Sequence, residues 1–248
     1  MTSQNIIPDV MGPFHVVKGS HRGRPVFFAV ADPQDVIQRH HMSGHFYERP
    51  ELAKIRAAYR PGGLFFDFGA NVGNHSLFAA LILKAEVVPV EPNPVAAALL
   101  RANVLLNRVE SQVELQWLGV GVSDAAGSGM AVQAPVHNLG AGRLVEGGEL
   151  RLVVADDVVG DRPAAFIKID TEGMELNVLR GLSKTIARDR PTIFVEVDDD
   201  NLEGFCDWIE INRYAILDRF KRYRRGENFL IVPEEHEEFM HLKDGMSL

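Results

Sequence analysis

The stretch Phe66-Asp67-Phe68-Gly69-Ala70-Asn71-Val72-Gly73-Asn74-His75 carries a short apolar strand into the start of a helix through two glycines. Gly69 and Gly73 have no side chain, so the backbone of such a turn can come close to a ligand. The spacing is D-x-G-x-x-x-G, which departs from the G-x-G-x-x-G of dinucleotide sites. A second apolar run, Val87-Val88-Pro89-Val90, ends in Glu91, whose carboxylate can accept hydrogen bonds from both hydroxyls of a ribose. Together these residues point to a nucleoside-bearing ligand without a pyrophosphate, and S-adenosylmethionine meets that description. Asp67 is expected to order the glycine turn and to reach the methionine end of this ligand. Asn71 either touches it or caps the helix that follows. Adenine is expected near Gly121-Val122-Ser123-Asp124, with Ser123 or Asp124 accepting from its exocyclic amine, unless the Ser-Asp pair only initiates a turn.

The family resemblance set out below implies methyl transfer to an alcohol, which is an in-line displacement at carbon. The hydroxyl must be aligned opposite the sulfur and relieved of its proton. Asp170 and Glu172, at the end of the apolar run around Ile167 and Ile169, are the first and second candidates for the base, and Asp170 is also expected beside the cofactor. Lys168 shares the strand face of Asp170. There it either pairs with Asp170 and holds it ionised, or forms a buried ion pair without catalytic work. His137 is the alternative imidazole base, and Glu175 and Glu196 could complete an acidic pocket. Asp170, Glu172, Glu196 and Asp198 would also offer hard oxygen ligands to Mg²⁺, but no spacing demands it, so the general base is preferred to a metal. His41 and His45 are four apart, yet Gly44 interrupts the helix that would align them. A lid bearing Phe46-Tyr47-Glu48 beside the cofactor is the better reading of that segment.

Three motifs in order, Phe66-Asp67-Phe68-Gly69-Ala70-Asn71-Val72-Gly73, then Val90-Glu91-Pro92-Asn93-Pro94, then Ile167-Lys168-Ile169-Asp170-Thr171-Glu172-Gly173-Met174-Glu175, resemble those of FkbM-type methyltransferases. The resemblance runs from about Gly44 to Pro191 and more weakly to Val232. It implies a class I, S-adenosylmethionine-dependent enzyme that O-methylates a hydroxyl on a natural product or sugar. The first motif alone is moderately specific; the three in order specify the family far better than the substrate.

Strands and helices must alternate to position these residues. Leu64–Phe68 reads as a strand, 75–84 as a helix, 86–90 as a strand, 94–107 as a helix and 113–120 as a third strand. A fourth strand at 165–169, a helix over 174–187, a fifth strand over Thr192–Val197 and a hairpin of Tyr214–Phe220 with 228–232 follow. The expected fold is α/β and Rossmann-like: a seven-stranded, mostly parallel sheet with helices on both faces and a closing antiparallel hairpin. Residues 1–60 stand apart as a hairpin and helical lid, ended by Pro61-Gly62-Gly63. The core spans 61–233. Residues 127–154 break the alternation with β-like runs around Asn138-Leu139-Gly140-Ala141-Gly142, and read as a β insertion on the substrate side or as a surface loop. An acidic tail, 234–248, could dock on a partner subunit.

The chain has 248 residues, 46% hydrophobic, enough to bury a full core. A net charge of -8 disfavours nucleic acid as a partner, since no basic stripe offers to neutralise phosphates. The run Arg219-Phe220-Lys221-Arg222-Tyr223-Arg224-Arg225 is read as a solvated hairpin tip, with an anionic-substrate site as the alternative. Cys206 is the one cysteine, which suits a reducing cytoplasm, and apolar runs such as 77–83 are too short to span a bilayer. The expected partner is a small hydroxylated acceptor, with a homo-oligomer left open.

Overall fold

A computed structural model describes residues 12–221 and 226–236. Strands β1 (His15–His21) and β2 (Arg24–Val30) form an antiparallel hairpin, followed by helices α1 (Gln38–Met42) and α2 (Arg49–Ala58). Then come β3 (Leu64–Phe68), α3 (Asn74–Phe78), β4 (Val87–Val90) and α4 (Pro94–Leu106). Strands β5 (Val120–Ser123), β6 (Gly127–Gln133), β7 (Arg143–Glu146) and β8 (Leu150–Val154) follow, with only a single 3-10 turn, Leu139–Ala141, between β6 and β7. The chain continues through α5 (Ala155–Val159), β9 (Ala164–Ile169), α6 (Glu175–Gly181), α7 (Ser183–Asp189), β10 (Thr192–Val197) and α8 (Leu202–Asn212). It closes with β11 (Tyr214–Phe220) and β12 (Glu227–Pro233).

The main sheet has six strands in the order β11-β12-β10-β9-β3-β4. Pairing is parallel from β10 to β4 and antiparallel where β12 meets β10 and β11. Strand β3 lies between β4 and β9, so the chain leaves it in both directions, and the crevice beyond the carboxyl ends of β3 and β9 is a topological switch point. Both strands are buried on both faces, which is why their sequences are near-continuous apolar runs. Phe65 and Phe166 stack at 5.0 Å in one core, while Phe66, Phe68, Ile167 and Ile169 fill the other. Asp67 and Lys168 are the polar exceptions, directly opposite in register and on the same face.

The sheet departs from the expected seven strands. Residues 113–120 meet β4 only through two isolated parallel bridges, Val87 with Val113 and Glu91 with Leu118. A turn from Leu115 to Leu118 and left-handed Gly119 (φ 86°) break the ladder there. Strand β5 instead pairs with β8 in a separate four-stranded sheet, β5-β8-β6-β7, which contains the irregular stretch 127–154. The helix expected over 75–84 is α3 continued by a π-helical turn, Ala79–Leu83, ending in left-handed Lys84. The one expected over 174–187 breaks at Leu182, because Gly181 is pressed against β5: a Cβ there would lie 2.3 Å from the Ser123 carbonyl oxygen.

The first hairpin docks on α4 through amide side chains. Asn103 Oδ1 accepts from Ala29 N at 2.6 Å, and Asn107 both accepts from Phe27 N and donates to Phe27 O. These amides stand in for a neighbouring strand and satisfy the edge of β2. Among the described residues no helix is long and apolar enough to cross a membrane. Arg222 to Arg225 of the basic run, and all of the acidic tail after His236, lie outside the described residues.

Candidate functional site

A cavity of about 520 Å³ opens at the switch point. Its floor is the turn after β3 (Gly69, Ala70, Asn71), the start of α3 (Asn74, His75) and the ends of β9 and β10 (Lys168, Asp170, Glu172, Glu196). Glu91, Pro92, Gly121 and Val122 form one wall. Two segments roof it, Val36 to Arg39 around α1 and Asn138 to Gly142 between β6 and β7.

Gly69 is needed for packing as well as for the turn. It has φ 80°, and a Cβ there would lie 1.8 Å from the Asp170 carbonyl oxygen, so the two strand ends close up only around glycine. Glu91 is buried, with Oε2 accepting from Asn71 N and Oε1 from Asn93 N, both at 2.7 Å. Burial pushes its carboxyl up to about 7 against the pull of these two hydrogen bonds. Asn71 itself is left-handed (φ 50°), and its buried Oδ1 has no hydrogen-bond partner. It does not cap α3, whose N-cap is Gly73.

Lys168 is the hub of the floor. Its ammonium donates to Gly69 O at 2.8 Å and lies 3.2 Å from Asp170 Oδ2 and 3.4 Å from Asp67 Oδ1. Burial alone would lower its pKa, but the charges of Asp170, Asp67 and Glu48 outweigh that and raise it. Around this cation the acids are crowded. Burial and then the Asp170 charge push Glu172 up to about 8 and Glu196 up to about 9, so both carry a proton at neutral pH. Glu175 is also raised by burial, though its oxygens accept from Gly173 N and Asn201 Nδ2. Among the described residues, no group of three or more His, Cys, Asp or Glu side chains could hold a metal ion.

Five of the residues expected to touch the cofactor or take the proton do not line the cavity, and neither do Glu175 and Asp198. Asp67 is fully buried beneath it: Ser76 Oγ donates to its Oδ2 at 2.6 Å, while Oδ1 accepts no hydrogen bond and lies 3.4 Å from the Lys168 ammonium. Gly73 faces α4, where a Cβ would meet Leu100 Cγ at 2.8 Å. Ser123 is turned towards Asp124, which is tied to Arg180 and Asn177 of α6, and the Arg180 hydrogen bond draws the Asp124 carboxyl down to about 2. Only Gly121 and Val122 of that run reach the cavity. His137 points outward and pairs with Asp32 at 2.7 Å.

That pairing belongs to a clasp. Val36 N donates to His137 O at 3.1 Å, and Asp35 Oδ2 accepts from Leu139 N at 2.9 Å while Oδ1 accepts from Ile37 N and Gln38 N. Two segments a hundred residues apart in sequence are thereby joined into one roof. Tyr47 and Glu48 line the cavity. Asn74 holds them down, donating to Tyr47 O and accepting from Tyr47 N and the buried His41 ring. His41 stacks on Phe28 at 4.3 Å while His45 is exposed, so the two do not converge. Asn74 and His75 of α3, Arg39 of α1 and the turn from Leu139 to Gly142 also line the cavity, and no single sequence spacing links these three segments.

An α/β fold with its cavity beyond the carboxyl ends of parallel strands, a glycine turn on one side and an acid-lined floor on the other, is that of a class I methyltransferase. The Methyltransferase FkbM domain model matches residues 67–225, and the chain belongs to that family. The 31-O-demethyl-FK506 methyltransferase FkbM of Streptomyces tacrolimicus is 45% identical over 69 residues, 27% of this chain and 25% of that protein. The match thus spans about a quarter of the relative's length. Of solved structures, a Pyrococcus horikoshii protein provisionally assigned as a transferase aligns over 88% of this chain and 70% of its own, at 17% identity and a TM-score of 0.51. The precorrin-6y C5,15-methyltransferase of Geobacter metallireducens aligns over 83% and 93%, at 13% identity and a TM-score of 0.50. At these identities the structural likeness concerns the fold alone.

Proposed function

We propose that this chain transfers a methyl group from S-adenosylmethionine to a hydroxyl of a small molecule. The observation that carries the reading is the cavity at the β3/β9 switch point, with Glu91 on one wall and the Lys168–Asp170 pair on its floor. The residues present fit the cofactor. Asn71 Oδ1 is a buried acceptor without a partner, suited to an ammonium or hydroxyl donor, and Glu91 keeps lone pairs for ribose hydroxyls after accepting two backbone N–H groups. The sulfonium supplies an electrophilic methyl group. Asp170 then accepts the acceptor's proton as the new carbon–oxygen bond forms, and Lys168 fixes the orientation of that carboxylate. The S. tacrolimicus relative is named for a 31-O-demethyl substrate, an oxygen lacking its methyl, which supports an oxygen acceptor here. In this reading the described residues before Pro61 contribute a lid and residues 127–154 a roof over the described part of the core. The test is to incubate the protein with methyl-labelled S-adenosylmethionine and a panel of hydroxylated natural products and sugars. Label in an ether product is expected, and S-adenosylhomocysteine should raise the unfolding temperature. A nicotinamide dinucleotide giving that shift instead would overturn the cofactor.

A further inference from the structure

His75 and Glu48 form a feature of the cavity that the proton-transfer role of Asp170 does not use. His75 is only 6% exposed, on the first turn of α3, and its Nε2 makes no hydrogen bond. Glu48 Oε2 stands 3.6 Å away, beyond hydrogen-bond reach, and both residues line the cavity. The lid presents Glu48 in a left-handed conformation (φ 54°, ψ 44°), disfavoured for a non-glycine residue and met most often where a site dictates the backbone. The imidazole is neutral, since burial, and then the charge of Lys168, brings its pKa down to about 3. It therefore offers one ring nitrogen as donor and the other as acceptor.

We propose that His75 Nε2 and the Glu48 carboxylate are a hydroxyl-recognition pair that receives a second, non-reacting hydroxyl of the acceptor. An oxygen about 2.8 Å from each fits across a gap of this width. Such an oxygen must both accept, from Nε2–H, and donate, to the carboxylate. A hydroxyl does both; an ether or ketone oxygen only accepts. The acceptor is thus a diol or polyol, one hydroxyl facing Asp170 and another held here. This assignment rests on the hydroxyl-acceptor reading above.

The test is a set of high-resolution crystal structures of the full chain, with and without S-adenosylhomocysteine, and after soaking with methyl α-D-glucopyranoside. A water within hydrogen-bond distance of His75 Nε2 and Glu48 is expected before the soak, and a sugar hydroxyl in its place afterwards. His75→Leu should lose that oxygen and His75→Gln, which keeps an amide donor, should retain it. Both variants should bind S-adenosylhomocysteine within twofold of the parent. A direct Nε2–Oε2 hydrogen bond closing the gap, a dry gap, a soak that leaves the water in place, or a bridging oxygen that persists in His75→Leu would overturn the proposal. Failure of S-adenosylhomocysteine to bind would sink the cofactor reading instead, and the ligand-free crystals would still decide on the pair.

Discussion

In the proposed reading, two carboxylates with different surroundings divide the work of the cavity, Glu91 towards the cofactor and Asp170 towards the acceptor. Glu91 is held by two backbone N–H groups, so Glu91→Ala would strand Asn71 N and Asn93 N as well as remove a cofactor contact. Glu91→Gln keeps one acceptor oxygen and the side-chain volume, but turns its NH2 towards either Asn71 N or Asn93 N, donor against donor. Its affinity for S-adenosylhomocysteine, measured by calorimetry, should fall by about 1–3 kcal/mol, the range for a lost hydrogen bond to a charged group. An unchanged affinity would remove Glu91 from the cofactor site. Asp170 is set apart by its place on the floor beside Lys168. Asp170→Asn should leave that affinity intact and lower turnover by about 10²–10⁴-fold, the usual loss of a general base. Chelator should not change turnover in either protein. If it abolishes activity and Mg²⁺ restores it, the chemistry runs through a metal. His137, tied to Asp32 on the outer side of the roof, should be dispensable for the chemical step.

The elements bring these groups together by close approach, and glycine marks where. Gly69→Ala would force a Cβ onto the Asp170 carbonyl at a backbone angle costing roughly 1–2 kcal/mol for an L-residue before any clash is counted. The variant should unfold at a markedly lower denaturant midpoint and bind cofactor poorly. A parent-like midpoint would mean that β3 and β9 can separate freely. The roof depends on Asp35, whose carboxylate accepts from Ile37 N and Gln38 N in the turn leading into α1 and from Leu139 N across the roof. Asp35→Ala leaves these N–H groups without their acceptor, so it should cost about 1–3 kcal/mol in stability and speed the release of S-adenosylhomocysteine in stopped-flow. Release at the parent rate would show that the clasp does not gate the cavity. The central strands and the glycine turn were legible because a doubly buried strand must be apolar throughout, so Asp67 and Lys168 stood out within Leu64–Phe68 and Ala164–Ile169. What these two residues do was less legible, since the register that sets Lys168 beside Asp67 is a property of the sheet. The short helix α5 and the amphipathic α8, which buries Phe205 and packs Trp208 and Ile209 against the core, were overlooked. Likewise the roof is made by a contact between residues 32–39 and 136–142, which no local pattern encodes.

Across the molecule the acid-rich floor ties stability to pH. Glu196 is raised from 4.5 to about 9, chiefly by burial and next by the charge of Asp170. A carboxyl raised in the folded state stabilises the fold fully below its unfolded pKa, and that contribution is lost as pH climbs through the folded value. The window for Glu196 therefore runs from about 4.5 to about 9, and that for Glu172 from about 4.5 to about 8. His41 and His75 act in the opposite sense: burial lowers both, so their contribution is complete above 6.5 and lost as pH falls towards about 4 and about 3. Comparing a variant with its parent cancels every group that does not feel the replaced charge, leaving Glu196 together with Asp170, Glu48, Glu172 and Lys168 around it. Glu196→Gln resembles the protonated acid in shape and cannot ionise. It should match the parent near pH 5 and gain on it as pH rises to 9, by at most about 1.4 kcal/mol per pH unit. Urea unfolding at several pH values across that window measures the difference directly. Parallel stability curves would mean that Glu196 is ionised and well solvated at neutral pH. The floor would then carry one more negative charge beside Asp170, and that charge would by itself repel an anionic acceptor.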